Sequence, residues 1–109
     1  MDLGIKGRRA IVCGASRGLG FGCALSLARE GVDLVINGRR PDVLADAAKR
    51  IADETGVDVV AVPCDITTPE GRAEVLAAAP QVDILVTNAG GPPPGDFRKF
   101  GRDDWIRAV

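Results

Sequence analysis

Apolar residues along this chain come in short continuous runs separated by longer mixed segments, with Gly and Pro at the boundaries. The first run, within Arg9 to Cys13, holds Ala10-Ile11-Val12 and reads as a strand. Past a glycine-rich turn, Leu19, Cys23 and Leu27, with Ala24 and Ala28, recur at three- and four-residue spacing. That period predicts a helix from about Leu19 to Glu30 with one apolar stripe, closed by Gly31 in a left-handed cap. A second strand, Asp33 to Asn37, is centred on Leu34-Val35-Ile36. The next helix runs from about Pro41, a good first-turn residue, to Glu54, with Gly56 past its end. Its apolar face is Leu44, Ala47, Ala48 and Ile51. Val57 to Val62, rich in β-branched Val, predicts a third strand, and Pro69 to Ala79, stopped by Pro80, a third helix. A fourth strand spans Val82 to Thr87, followed by a Gly/Pro loop, Gly90 to Gly95, and a last helical segment beginning near Arg102.

Strands alternating with helices at this pitch form βαβ units and a parallel sheet. The strands are continuously apolar rather than alternating, as required when helices cover both faces. Right-handed crossovers then give the strand order 3-2-1-4 of an α/β, Rossmann-type doubly wound parallel sheet. On this reading strand 4 has an open side, and the chain stops at Val109 within a helical pattern. An open apolar edge is an aggregation liability. The expectation is therefore that residues 1–109 are the N-terminal dinucleotide-binding part of a single Rossmann-fold domain, truncated on the strand-4 side.

Composition narrows the function classes. At 46% hydrophobic and 27% charged residues the chain is an ordinary globular sequence. Fourteen basic against fifteen acidic side chains, a net charge of −1, argue against nucleic-acid or anionic-membrane partners. No apolar run approaches the roughly 18 residues of a membrane span. Met1-Asp2-Leu3-Gly4 lacks the basic and apolar regions of a signal peptide, so a soluble cytoplasmic protein is expected. The sequence has no Tyr and no His, which removes a His base, a His metal ligand and a Tyr acid from these 109 residues. Cys13, Cys23 and Cys64 fit no C-x-x-C spacing and read as reduced, inert thiols, so no metal site is expected.

Candidate chemistry concentrates where strands end. Cys13-Gly14-Ala15-Ser16-Arg17-Gly18-Leu19-Gly20 lies between strand 1 and a helix. Glycines there permit close backbone approach, and the helix N-terminus offers unpaired N–H groups, a combination that suits a dinucleotide pyrophosphate. No Lys-Ser/Thr pair follows, so the turn is not a P-loop, and Cys23 stands where the third glycine of G-x-G-x-x-G would be. NAD sites place a carboxylate at the end of strand 2, but here the sequence is Ile36-Asn37-Gly38-Arg39-Arg40. Arg39 matches a ribose 2′-phosphate, and Arg17 adds positive charge on the same side. Arg40 is either a second partner of that phosphate or a solvated loop charge. NADP(H) is favoured over NAD(H). Phe97, Phe100 and Trp105 are expected to pack in a core or an interface.

These residues carry a resemblance. Gly14-x-x-x-Gly18-x-Gly20 after an apolar strand resembles the T-G-x-x-x-G-x-G turn of short-chain dehydrogenases/reductases. Thr87-Asn88-Ala89-Gly90 resembles the family's N-N-A-G, and Cys64-Asp65-Ile66 falls where the family carries an adenine-contacting Asp. Cys13 for Thr and Thr87 for the first Asn depart from the pattern without removing a glycine. The resemblance implies that Gly14, Ser16, Gly18, Leu19 and Gly20 form the pyrophosphate turn, that Asp65 and Ile66 hold adenine, and that Asn88, Ala89 and Gly90 lie under the adenosine ribose. Asn88 could equally hold strand 4 through side-chain hydrogen bonds, or do both.

The resemblance extends to 3-oxoacyl-carrier-protein reductase-like members, which interconvert a small-molecule carbonyl and a secondary alcohol and often form homo-oligomers. Their catalytic Ser and Tyr-x-x-x-Lys are missing here, so no catalytic residue is assigned and these 109 residues alone are expected to be inactive. The alternative is a natively short, non-catalytic nucleotide-binding or interaction module. A downstream reading frame carrying the Ser and Tyr-x-x-x-Lys would exclude it.

Overall fold

The computed structural model describes residues 2–89 and 94–108. Four strands, β1 (Arg9–Val12), β2 (Asp33–Gly38), β3 (Val59–Pro63) and β4 (Ile84–Val86), form one sheet in the order β3-β2-β1-β4, and every pairing is parallel. Helices α1 (Gly18–Arg29), α2 (Pro41–Thr55) and α3 (Pro69–Ala78) make the crossovers, and a 3₁₀ turn (Phe97–Lys99) precedes α4 (Arg102–Ala108). This is the expected doubly wound order. Gly31 and Gly56 close α1 and α2 at φ 84° and 79°, as their spacing predicts.

The sheet separates two apolar layers, because successive side chains of a strand point to opposite faces. On one face Ala10, Val12, Leu34 and Ile36 meet Ala24 and Ala28 of α1 and Leu44, Ala47 and Ile51 of α2. On the other, Ile11, Cys13 and Val35 meet Val75 and Ala79. β1 and β2 are thus buried on both faces, whereas β3 and β4 are only half covered. The edge strands are also shorter than their apolar runs. Pairing starts at Val59 rather than Val57, and only Ile84–Val86 of the Val82–Thr87 run joins β1. Pro63 ends β3, where an edge strand tolerates a missing N–H.

One packing expectation is corrected. The stripe of α1 that meets the sheet is Gly20, Ala24 and Ala28, with Leu27 beside it. Leu19 and Cys23, placed on that stripe by spacing, are exposed. The reason is steric: a Cβ on Gly20 would overlap the carbonyl of Gly14 and lie 2.9 Å from the amide nitrogen of Asn88. The helix docks through its smallest residues and turns its larger ones aside. Of the two places expected for the aromatic residues of the last segment, a core or an interface, they are not in the core. Phe97 and Trp105 are largely exposed, and Phe100 meets Trp105 edge-on with ring centroids 6.0 Å apart.

Two glycines of one helix should therefore respond with opposite signs. Gly20→Ala is expected to destabilise the fold by about 1–3 kcal/mol through overpacking. Gly22→Ala, where an added Cβ meets nothing within 4 Å, should stabilise it by about 0.5–1 kcal/mol. Urea unfolding midpoints measure both, and equal shifts would refute the close docking of α1.

Candidate functional site

The C-terminal ends of all four strands open into one cleft of about 390 Å³. Its floor is the turn after β1. Gly14 adopts φ 60°, a conformation that L side chains resist, and a Cβ there would lie 2.8 Å from the Asn88 amide nitrogen. The turn is held from both sides. Asn37, at the end of β2, accepts the Gly14 N–H on Oδ1 at 3.3 Å and the Ala15 N–H on its backbone carbonyl at 3.0 Å. Asn88, after β4, donates from Nδ2 to the Gly14 carbonyl at 3.3 Å. Asn88 thus has the structural role that the sequence left open.

Nine residues expected at the site line this cleft: Gly14, Ser16, Arg17, Arg39, Arg40, Asp65, Ile66, Asn88 and Ala89. Gly18, Leu19 and Gly20 instead build the first turn of α1 beside it. Leu19 turns its side chain outward at 85% exposure, and Gly20 is buried behind the turn. Gly90 lies outside the described residues, as do Pro92 and Pro93 of the Gly/Pro loop. Arg17, the N-cap residue of α1, makes no side-chain cap, so the leading N–H groups of the helix keep their partial positive charge without a side-chain acceptor.

Four lining residues were not read from the sequence as site residues: Asn37, Gly38, Cys64 and Thr67. Asn37 is the informative omission. It is 1% exposed, and its Nδ2 has no hydrogen-bond partner. A polar residue directly after the apolar run Leu34-Val35-Ile36 was the available signal, since a buried amide needs a local partner.

Three guanidinium groups stand in the cleft against one carboxylate. Arg40 lies 4.0 Å from Asp42, a loose exposed pair, whereas Arg17 and Arg39 form no ion pair among the described residues. Asp65 Oδ1 accepts both the hydroxyl of Thr67 at 2.6 Å and its backbone N–H at 2.9 Å. Those two bonds, then the field of Arg39, hold the Asp65 carboxyl below the usual range, while partial desolvation opposes them. Cys64 shifts the other way. Burial chiefly, then the negative charge of Glu74 and the neighbouring Cys13 and Asp65, push its thiol up, which leaves it protonated and a poor nucleophile. Cys13 and Cys64 share the apolar layer under α3.

Among the described residues no helix is long and apolar enough to cross a membrane, and no group of three His, Cys, Asp or Glu side chains could hold a metal ion.

A cleft at the strand ends, floored by a glycine turn and rimmed by arginines, agrees with what the chain matches among known proteins. The family model described as short chain dehydrogenase matches residues 8–109. An uncharacterized oxidoreductase of Bacillus subtilis, YvaG, is 36% identical over 109 residues, which cover 98% of this chain and 41% of the relative. Gluconate 5-dehydrogenase of Gluconobacter oxydans is 35% identical, covering 93% of this chain and 41% of that protein. In three dimensions, L-sorbose reductase of Gluconobacter frateurii, crystallised with NADPH and L-sorbose, superposes with a TM-score of 0.84 at 35% identity. That match covers 96% of this chain and 41% of the reductase chain. The chain therefore spans about two fifths of the length of these relatives. On the glycine turn, the strand order and the match over residues 8–109, the chain belongs to the short chain dehydrogenase family of oxidoreductases.

Proposed function

We propose that residues 1–109 form the NADP(H)-binding part of a short-chain oxidoreductase. The longer protein would move a hydride between the nicotinamide and a small-molecule carbonyl or secondary alcohol. The observation that carries the cofactor preference is the end of β2, where Gly38, Arg39 and Arg40 line the cleft and no carboxylate is present. A carboxylate there would accept the ribose 2′-OH of NAD and repel a 2′-phosphate, whereas a guanidinium attracts the phosphate. L-sorbose reductase, crystallised with NADPH, and an alcohol dehydrogenase of Thermococcus sibiricus, crystallised with 5-hydroxy-NADP, support this reading as relatives of the same fold.

The cleft's own features fit such a ligand. Gly14 and Gly18, at φ 60° and 65°, let the backbone approach a pyrophosphate, and nothing lies within 4 Å of a Cβ built on Gly18. The uncapped first turn of α1 would meet the phosphates with its N–H groups. Arg39, with Arg17 and Arg40 nearby, would neutralise the 2′-phosphate. Asp65 and Ile66 would flank the adenine, and Asn88 would hold the turn in place through Gly14 while Ala89 follows it under the ribose. When bound, the cofactor would give hydride to a carbonyl carbon or take it from the carbinol carbon of a secondary alcohol. With no Tyr and no His in these residues, the proton for the resulting alkoxide would come from residues beyond them, and the 109 residues alone would bind without turnover.

Two expected outcomes test the proposal. Arg39→Asp should weaken NADPH binding by roughly 10- to 100-fold, the loss of a charge-assisted hydrogen bond, and leave NADH binding within about threefold. Calorimetric titration of both cofactors decides this, and equal losses would remove the 2′-phosphate role. In the second measurement, the chain is mixed with NADPH and a panel of ketones. Cofactor fluorescence should change on binding and then persist, and steady loss of reduced cofactor would show that the 109 residues suffice for catalysis.

A further inference from the structure

The carboxylate of Asp65 is not free to turn. Both donors of Thr67 converge on one of its oxygens, Oδ1, the hydroxyl at 2.6 Å and the backbone N–H at 2.9 Å. A carboxylate oxygen has two lone pairs, so Oδ1 is saturated and Oδ2 remains the accepting atom of a side chain that lines the cleft. We propose that Thr67 is a positioning residue that fixes Asp65 with Oδ2 toward the cleft, and thereby selects a purine bearing an exocyclic amino group over one bearing an oxygen at the same position. The inference rests on the reading of the cleft as a nucleotide site and deepens it.

The alternative role for Thr67 is to shape the start of α3. That role is already filled by its neighbour. Thr68 is the N-cap, its hydroxyl accepting the Gly71 N–H at 3.0 Å and donating to the Asp65 carbonyl at 2.8 Å. Arg72 of α3 reaches back to the Ile66 carbonyl at 3.2 Å, a further tie that does not involve Thr67. The Thr67 hydroxyl is thus spent on the carboxylate alone, and Thr67 is exposed at the cleft wall.

The chemistry of selection follows from protonation. An ionised carboxylate only accepts hydrogen bonds, so it favours an amino group and disfavours a carbonyl oxygen. A protonated one can donate and loses that discrimination. The two Thr67 bonds stabilise the ionised form, helped by Arg39 across the cleft from the end of β2, and together they keep the carboxyl below its ordinary range. The folded value lies below the unfolded one, so the interaction is present above the unfolded value and is lost as pH falls through the folded value.

The test uses adenosine 2′,5′-bisphosphate and its inosine counterpart, in which a carbonyl oxygen replaces the exocyclic amino group and N1 gains a proton. Both are titrated calorimetrically into the 109-residue chain at pH 7. The unaltered chain and Thr67→Ser should prefer the adenine ligand by about tenfold or more. Thr67→Val, which deletes the hydroxyl and keeps the branched shape, should bind both ligands with a preference at least threefold smaller. Carbon NMR of the Asp65 carboxyl should show its titration moving to higher pH in Thr67→Val and not in Thr67→Ser. Thr67→Ala makes the same deletion if the Val variant does not fold. An unchanged preference in Thr67→Val, with Asp65→Ala abolishing it, would overturn the role of Thr67 and leave the nucleotide site standing. Failure of the unaltered chain to bind either ligand would overturn both.

Discussion

The Gly14 peptide is gripped from two sides, and the rest of the site depends on that grip. Asn37 takes its N–H from the β2 side, and Asn88 supplies a donor to its carbonyl from the β4 side. A parallel sheet leaves the backbone groups at its strand ends unpaired, and a turn leaving β1 must find partners for them within a few ångströms. Two amide side chains from the flanking strands provide these partners. The geometry they fix also brings Gly20 so close to the Gly14 carbonyl that no Cβ fits between them. One turn thus sets the position of the helix, the direction of its N-terminal N–H groups and the floor of the cleft.

Electrostatics in this molecule is local. The chain as a whole carries a charge of −1, and most of its ion pairs are exposed surface pairs, including Arg29–Glu54 between α1 and α2 and Lys49–Asp53 along α2. Such pairs contribute little to stability. At the cleft the balance is reversed, with three guanidinium groups facing one carboxylate. Because exposed charges are screened within about 10 Å, an anion at the strand ends would respond to this local excess rather than to the total.

Burial is equally uneven. The two central strands are enclosed on both faces, while Leu85 of β4 stands 61% exposed on the face that carries α3 over β2 and β3. The well-packed half of the sheet is the half that carries the glycine turn and the basic end of β2. Close packing is therefore concentrated under the residues whose positions the binding chemistry would require.

Local pattern was enough to determine the element types and the strand order, because each depends on short-range chemistry, and nine of the thirteen residues expected from that pattern or from the family resemblance line the cleft. Continuous apolar runs read as buried strands, capping glycines closed two helices, and Arg39 and Asp65 fell at strand ends that the topology gathers into one edge. Only the tertiary structure decided which row of α1 faces the sheet. Spacing put Leu19 and Cys23 inward, but the approach of Gly20 to Gly14 rotates them out, and that contact joins separate elements. The same holds for Asn37, whose burial and hydrogen bond to Gly14 exist only once β2 lies beside β1, and for Thr67, whose two bonds to one oxygen appear only in the folded loop. Sequence periodicity encodes which side of an element is apolar; what that side meets, and at what distance, is settled by packing between elements far apart in the chain.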